Sequence, residues 1–426
     1  MVVAPLDADR VGDLRKLLAS MNRHPGVADP QNALIPFGQL DRLHFARLVI
    51  FDDQTLSDIS AYGMPAQDFP RSLAFLGDCD GPADEFLANL VQRADRGLRQ
   101  IFSHCQGFST SCDLLRWMRE REHPPATSYV NWVGRTVRQI REENTLWTGL
   151  QTYLDRNSAV LTGKPPTQIR KALKEFVNAE QQAGRLTLTP LESTPLLWRL
   201  ANLVHCITVP LLLLFLAPLL LLYLPVFIFQ LRRRERRDPE IAPRMDANEA
   251  QKLAVLEDHD VSNQFSAIGI LKPGLFRRWI LTFFLWVVNY TTRHIFNRGR
   301  LARVATIHFA RWVFLDKKKR LFFASNYDGS LESYMDDFIN KVAWGLNLVF
   351  SNGVGYPRTN WLISGGAKDE QKFKYYIRRH ELPTEVWYNA HPGLTAFDLE
   401  RNTRIRQGIE QPAMTEVSIR EWLKLF

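Results

Sequence analysis

Histidine, arginine and aspartate recur in this chain at matched places. Leu43-His44-Phe45-Ala46-Arg47-Leu48-Val49 returns as Ile307-His308-Phe309-Ala310-Arg311-Trp312-Val313, and Asp80-Gly81 returns as Asp328-Gly329. Side chains alternate along a strand, so Phe309, Arg311 and Val313 are expected on one face and His308, Ala310 and Trp312 on the other. Arg47 and Arg311 then project among apolar neighbours, where a guanidinium must find an acceptor. Asp80 and Asp328, at strand ends beside glycine, are the expected partners. Such a pair most often pins a strand to a turn; in a cleft it flanks a haem or an anionic lipid group instead. His44 and His308 are candidate metal or haem ligands or general bases, against the commoner reading of a satisfied buried hydrogen bond. His391, in Tyr388-Asn389-Ala390-His391-Pro392-Gly393, falls on a strand-to-helix loop and is the best single catalytic candidate. His104 has Asn352 as its counterpart, so the two copies differ chemically there. Glu257-Asp258-His259-Asp260 holds cation-ligand types but reads more simply as a helix-capping loop.

Other chemistries are disfavoured. The chain has no P-loop, no GxGxxG, no HExxH and no GxSxG. Cys79, Cys105, Cys112 and Cys206 form no CxxC pair, which argues against structural zinc and for free thiols in a reducing compartment.

The elements that must position these residues are themselves repeated. Leu73-Ala74-Phe75 through Asp80-Gly81 matches Leu321-Phe322-Phe323 through Asp328-Gly329. Ile101-Phe102-Ser103 through Gly107-Phe108 matches Val349-Phe350-Ser351 through Gly355-Tyr356. Both blocks, and Gly97 with Gly345, share one offset of 248 residues. A weaker block sets Tyr129-Val130-Asn131 against Trp387-Tyr388-Asn389. In the second copy the patterning predicts strands over His308–Leu315 and Arg320–Ala324 around a Lys317–Lys319 turn. It predicts a helix over Ser330–Asn347 and a short strand at Leu348–Phe350. A charged helix over Lys368–Arg379 and a last strand at Glu385–Asn389 complete a β–β–α–β–α–β order. Helices on one face of a mainly antiparallel sheet are the α+β solution for that order, and two copies can pair their sheets.

Tandem units of this kind resemble the dimeric α+β barrel superfamily, built from ferredoxin-like repeats and including the dye-decolorising peroxidases. Gly77-Asp78-Cys79-Asp80-Gly81 is similar to that peroxidase family's GxxDG haem motif; the second copy reads Ser325-Asn326-Tyr327-Asp328-Gly329. The resemblance implies two ferredoxin-like repeats packed as a pseudo-dimer around a ligand cavity. It leaves a haem possible; the candidate cofactor-binding residues, read from the strands themselves, are His308, Asp80 and Arg47, and the candidate catalytic residues are His391, Arg311 and Asp328.

Between the copies lies an anchor. Cys206 to Phe229 reads CITVPLLLLFLAPLLLLYLPVFIF without a charge, about 36 Å if helical against a hydrocarbon core of about 30 Å. Pro210, Pro218 and Pro225 predict a kinked span or a hairpin dipping around Pro218. A second uncharged stretch, Trp279–Thr292, is short for a span; its aromatic residues and flanking arginines suit an interfacial helix, with a buried core helix as the alternative. The formal net charge is +9, and a dense basic run, Arg232–Arg237, directly follows the apolar stretch, a position that favours lipid headgroups over nucleic acid. Met1–Asp7 has no apolar run, so no signal peptide is expected. If the copies form one body, the chain crosses an even number of times or not at all. Either both apolar stretches cross, or both enter one leaflet and leave the domains cytoplasmic. The positive-inside rule and the missing leader favour the second.

The expected layout is an extension over 1–38, a first repeat over 39–160, linker helices over 161–200, a membrane region over 201–300 and a second repeat over 301–426. Three functions fit: a membrane enzyme, an oxidoreductase if haem binds, acting on a lipophilic substrate; a non-catalytic lipid- or ligand-binding module; or a membrane-anchored partner-recruiting protein. A cavity between paired units favours the first.

Overall fold

The computed structural model describes residues 1–426. The chain begins with β1 (Val2–Pro5), α1 (Val11–Ala19), β2 (Asn22–His24) and β3 (Gly26–Ala28). There follow β4 (Leu43–Phe51), β5 (Ser72–Cys79), α2 (Ala83–Phe102), α3 (Leu114–Glu120) and β6 (Thr127–Val130), then α4 (Val137–Arg156), α5 (Ser158–Leu161) and α6 (Pro166–Gln182). The long helix α7 (Leu196–Arg237), α8 (Ala247–Ala254), β7 (Ser262–Ile270) and α9 (Leu275–His294) follow. Next come β8 (Ile307–Leu315), β9 (Arg320–Asp328), α10 (Leu331–Phe350), the two-residue strands β10 (Thr359–Asn360) and β11 (Ser364–Gly365), α11 (Glu370–His380) and β12 (Thr384–Asn389). The chain closes with α12 (Ala396–Glu410) and α13 (Glu416–Leu423). It divides into two compact units, one of Met1–Val133 with Thr194–Ala390, the other of Gly134–Ser193 with His391–Phe426.

The first unit holds two large sheets, ordered β1-β5-β4-β12-β3-β2 and β6-β8-β9-β7, and the small pair β10-β11. Their pairs are antiparallel except β12 with β3. Strands far apart in the chain are joined: β6 pairs with β8, and β12 with β4. Alternation gives each sheet an inner and an outer apolar face. The inner faces meet through Val49, Phe51, Ala74 and Leu76 on one side and Ile268, Val313, Phe322 and Ala324 on the other. The Phe51 and Phe322 rings lie 5.0 Å apart in that layer. Helices α1, α2 and α3 bury their apolar stripes on the outer face of the first sheet, and α9 and α10 on that of the second.

Two details differ from the sequence reading. The apolar trio Leu348–Phe350 continues α10 rather than forming a strand, since three residues suit either element and the helix already buries Val342, Leu346 and Val349 on one side. Tyr129 sits opposite Ala310, and Tyr388 opposite Ala46, so Tyr129 corresponds to Tyr388 and not to Trp387.

The helices α2 and α10 both break regular geometry at equivalent positions, Ala94 (φ −129°) and Val342 (φ −143°). One turn on, their glycines meet different surroundings. A Cβ on Gly97 would lie 1.9 Å from the Leu34 carbonyl oxygen, whereas one on Gly345 would meet nothing within 4 Å. Gly97→Ala is therefore expected to cost about 1–3 kcal/mol or more through overpacking. Gly345→Ala, relieved of glycine's backbone entropy, should gain up to about 1 kcal/mol. Denaturant melts of the two variants side by side check the pair.

Helix α7 runs unbroken for 42 residues through Pro210, Pro218 and Pro225, and none of its most apolar stretch is buried. By length and composition it is one helix able to cross a membrane. Helix α9 is two-faced: Leu281 and Leu285 enter the core under the second sheet, while Trp279 and Phe283 face outward. The early part of α7 meets the end of α9, where Tyr290 Oη donates to the Cys206 carbonyl (2.9 Å) and His205 Nδ1 lies 2.8 Å from His294 Nε2. Its late part meets the start of α9, where Phe227 packs on Phe276 and Leu231 on Ile280 and Leu362. Glu235 fixes that end, accepting from Thr359 Oγ1 (3.0 Å) and from the amides of Trp361 (3.0 Å) and Leu362 (2.9 Å). Both ends of α7 are thus tied to the first unit.

The second unit is helical. Leu146, Leu150, Leu173, Val177, Ile405, Ile409 and Trp422 form its core. Thr395 and Asp398 close a capping box at the start of α12.

Candidate functional site

The matched histidines, arginines and aspartates converge where the two sheets face each other, but their partners are not those expected from alternation. In β4 the register slips between Leu43 and Phe45, and in β8 between Ile307 and Phe309. His44 and His308 are thus the extra residues of two equivalent bulges, and a bulge re-aims its side chain. Each ring turns toward the layer between the sheets: His44 lies 5.2 Å from the Phe309 ring and His308 5.6 Å from the Phe45 ring. The expected placement of His308 opposite Phe309 is overturned by that bulge.

Asp80 and Asp328 then serve the histidines rather than the arginines. His44 Nε2 lies 2.9 Å from Asp80 Oδ1, and His308 Nε2 2.6 Å from Asp328 Oδ1. Ser262 Oγ donates to the same Asp328 oxygen (2.9 Å) and lies 3.4 Å from His308 Nε2. Serine and carboxylate therefore meet one ring nitrogen. A relay needs the histidine between them through both nitrogens, so this trio is no nucleophilic triad.

The arginines cross between the sheets. Arg47 is almost wholly buried and donates to the carbonyls of Phe265 (2.7 Å) and Ser325 (2.9 Å), to Ser266 Oγ (2.9 Å) and to Asn326 Oδ1 (2.5 Å). Arg311 donates to the Gly77 carbonyl (3.1 Å) and forms an ion pair with Asp78. Gly77 and Ser325 are equivalent by the 248-residue offset, as are Asp78 and Asn326. The two arginines thus perform one contact twice, in opposite directions. Asn326 Nδ2 donates to Asp78 Oδ2 (3.1 Å), and Trp387 Nε1 donates to Asn326 Oδ1 (3.0 Å). Burial pulls the Arg47 guanidinium down to about 10, with nearby Asp78 opposing the shift. Asp78 and Asn326 were passed over in the sequence; the signal was a polar residue at the same offset in each copy, two positions before the Asp-Gly.

His391 begins the second unit's C-terminal segment and is buried. The preceding amide, of Ala390, donates to the His44 carbonyl (2.9 Å), as the Asn131 amide donates to that of His308. The difference between His104 and Asn352 proves structural. His104 Nδ1 faces the carbonyls of Gln100 and Ile101, and Asn352 Nδ2 those of Leu348 and Val349, the equivalent end of each helix. Glu257 is taken by Arg378, and Asp258 accepts from the Leu331 amide (3.2 Å) at the start of α10.

An apolar cavity of about 60 Å³ lies between the second sheet and helices α10 and α11, lined by Phe265, Trp312, Phe323, Met335, Phe350 and His380 among others. His380 Nδ1 is held by the Tyr376 carbonyl (2.8 Å), while its buried Nε2 has no hydrogen-bond partner. Burial also lowers the pKa of this imidazole, keeping it neutral.

These residues do not fit the haem implied by the peroxidase resemblance. Both strand histidines direct Nε2 at a carboxylate, Gly77 of the GxxDG sequence gives its carbonyl to Arg311, and the His380 cavity is far below the ~300 Å³ at which ligand pockets of ordinary size begin. What the fold and site define is a mixed α+β protein with a buried polar layer between two sheets and one long exposed apolar helix. No family profile, curated protein or solved structure matches the chain.

Proposed function

We propose that the chain is a membrane-associated, non-catalytic lipid-binding module whose two ferredoxin-like halves pack as a pseudo-dimer and ride on one leaflet. The reciprocal crossing of Arg47 and Arg311 at equivalent positions supports the pairing. One observation carries the membrane reading: α7 leaves its apolar length bare while both its ends are fastened to the same unit along α9. A helix crossing the bilayer would separate its ends by about 30 Å of hydrocarbon. Apolar all round, it would lie submerged within one leaflet beside Trp279 and Phe283, with the run Arg232–Arg237 at the headgroups. The positive-inside rule then assigns the domains to the cytoplasmic side. The apolar cavity beside His380, at about 60 Å³, has room for little more than water-sized groups, so neither a ligand nor turnover is assigned to it.

The test is depth. Leu203 and Leu221 lie about 27 Å apart along a straight helix. Spin labels at the two positions, in full-length protein bound to phosphatidylcholine vesicles, should report the same depth. Depths differing by most of the hydrocarbon thickness would overturn the in-plane reading.

A further inference from the structure

Where α7 ends and α9 begins, the chain builds a second, basic pocket of about 560 Å³. Five cations line it, Arg233, Arg234, Arg237, Lys272 and Arg277, against one carboxylate, Asp238. Lys272 and Arg277 are buried, at 3% and 1% exposure, which is unusual for such side chains. Both lean on a single oxygen: Asp238 Oδ2 accepts from Lys272 Nζ (2.8 Å) and from Arg277 Nη2. That leaves Arg277 Nη1 buried without a hydrogen-bond partner, and Arg234 Nε likewise. Glu235, the other nearby acid, is occupied by Arg232, Thr359 and two backbone amides.

The backbone adds to the same field. Lys272-Pro273-Gly274 turns directly into α9, whose first turn has neither a side-chain cap nor an acidic residue. The free amides of a helix start favour an anion. Gly274 has φ +104°, and a Cβ there would come within 3.2 Å of Arg234 Nη1, so glycine lets that arginine lie against the turn. Burial holds the Lys272 amine down to about 8, Asp238 being the chief opposing charge. A tetrahedral dianion offers what this arrangement lacks: a second counter-charge and several acceptor oxygens for forked guanidinium donors.

We infer that this pocket binds a phosphate group, presented by the headgroup of an anionic phospholipid in the leaflet on which α7 lies. The lipid as source rests on the membrane reading above; the phosphate site does not. With phosphate bound, Arg277 Nη1 gains its missing acceptor and the cluster becomes neutral enough to stay buried.

The experiment uses the full chain in detergent and then on vesicles. Inorganic phosphate should raise the thermal midpoint of the wild type beyond chloride at equal ionic strength. Phosphatidylcholine vesicles containing phosphatidic acid should bind it more tightly than phosphatidylcholine alone. Lys272→Met should abolish the phosphate shift and weaken the phosphatidic acid preference by roughly tenfold or more, while binding to plain phosphatidylcholine persists. Should Lys272→Met misfold, Arg233→Gln/Arg237→Gln, at exposed positions, carries the test through a smaller phosphate shift. Free phosphate competing fully with phosphatidic acid would assign the site to a soluble phosphate compound and overturn the lipid source. Equal midpoints in phosphate and chloride would overturn the site itself, leaving a diffuse basic patch. Failure to bind phosphatidylcholine would strike the anchor and not the pocket.

Discussion

Arg47→Met is expected to lower the unfolding free energy by about 3–5 kcal/mol, among the largest effects of any single substitution in the sheets. The guanidinium stands between the two sheets and satisfies two carbonyls, a hydroxyl and an amide oxygen, all contributed by β7 and β9. Methionine fills the volume but donates nothing, and each acceptor left buried and unpaired costs about 1–3 kcal/mol. Part of that is offset, because burying the cation is itself unfavourable, as its depressed pKa records. The balance still falls on the destabilising side: removing one member of a buried polar network strands the others. Arg311→Met should cost less. Its side chain is 17% exposed, and water can reach the acceptors that it leaves. Chemical denaturation of both variants in one detergent decides the matter. If Arg47→Met melts within about 1 kcal/mol of wild type, the arginine crossing does not hold the two sheets together.

The same contacts show where sequence reading stops. The strands and helices of the second copy were legible because their apolar periods are long and bounded by turns: Lys317–Lys319, Gly329 and Gly355 fall where the chain reverses. The duplicated polar residues were legible too, since an offset of 248 repeats them in the same apolar setting. Their partners were not. A single inserted residue at His44 and at His308 carries no signature in a period of two, yet it moves each imidazole to the other face and delivers it to the aspartate that the arginine was expected to meet. Once the histidines hold Asp80 and Asp328, the arginines need other acceptors. They find them two residues earlier on the facing strand, at Asp78 and Asn326. The pairing of β6 with β8 and of β12 with β4 is invisible for a different reason. Which of two similar sheets a strand joins depends on contacts hundreds of residues apart, and both sheets offer the same alanine, Ala46 or Ala310, as the pairing site.

Leu214→Asp with Leu221→Asp is expected to release the protein from vesicles while leaving its melting unchanged. Both leucines are exposed, at 72% and 67%. A carboxylate placed near the bilayer centre costs about 2.5–3.5 kcal/mol, so two together weaken partitioning by more than a hundredfold if α7 lies deep. An in-plane helix permits partial escape toward the headgroups, and the loss then shrinks toward tenfold. Vesicle flotation of the double variant beside the wild type therefore reports depth as well as attachment. The fold supplies the control. The sheets are joined by Arg47, Arg311 and the Phe51–Phe322 layer, all remote in sequence from these leucines. Unaltered flotation together with a lowered melting point would mean that protein, not lipid, covers α7. The exposed apolar length would then be a docking face for a partner, and the chain a recruiting protein rather than a leaflet-bound one.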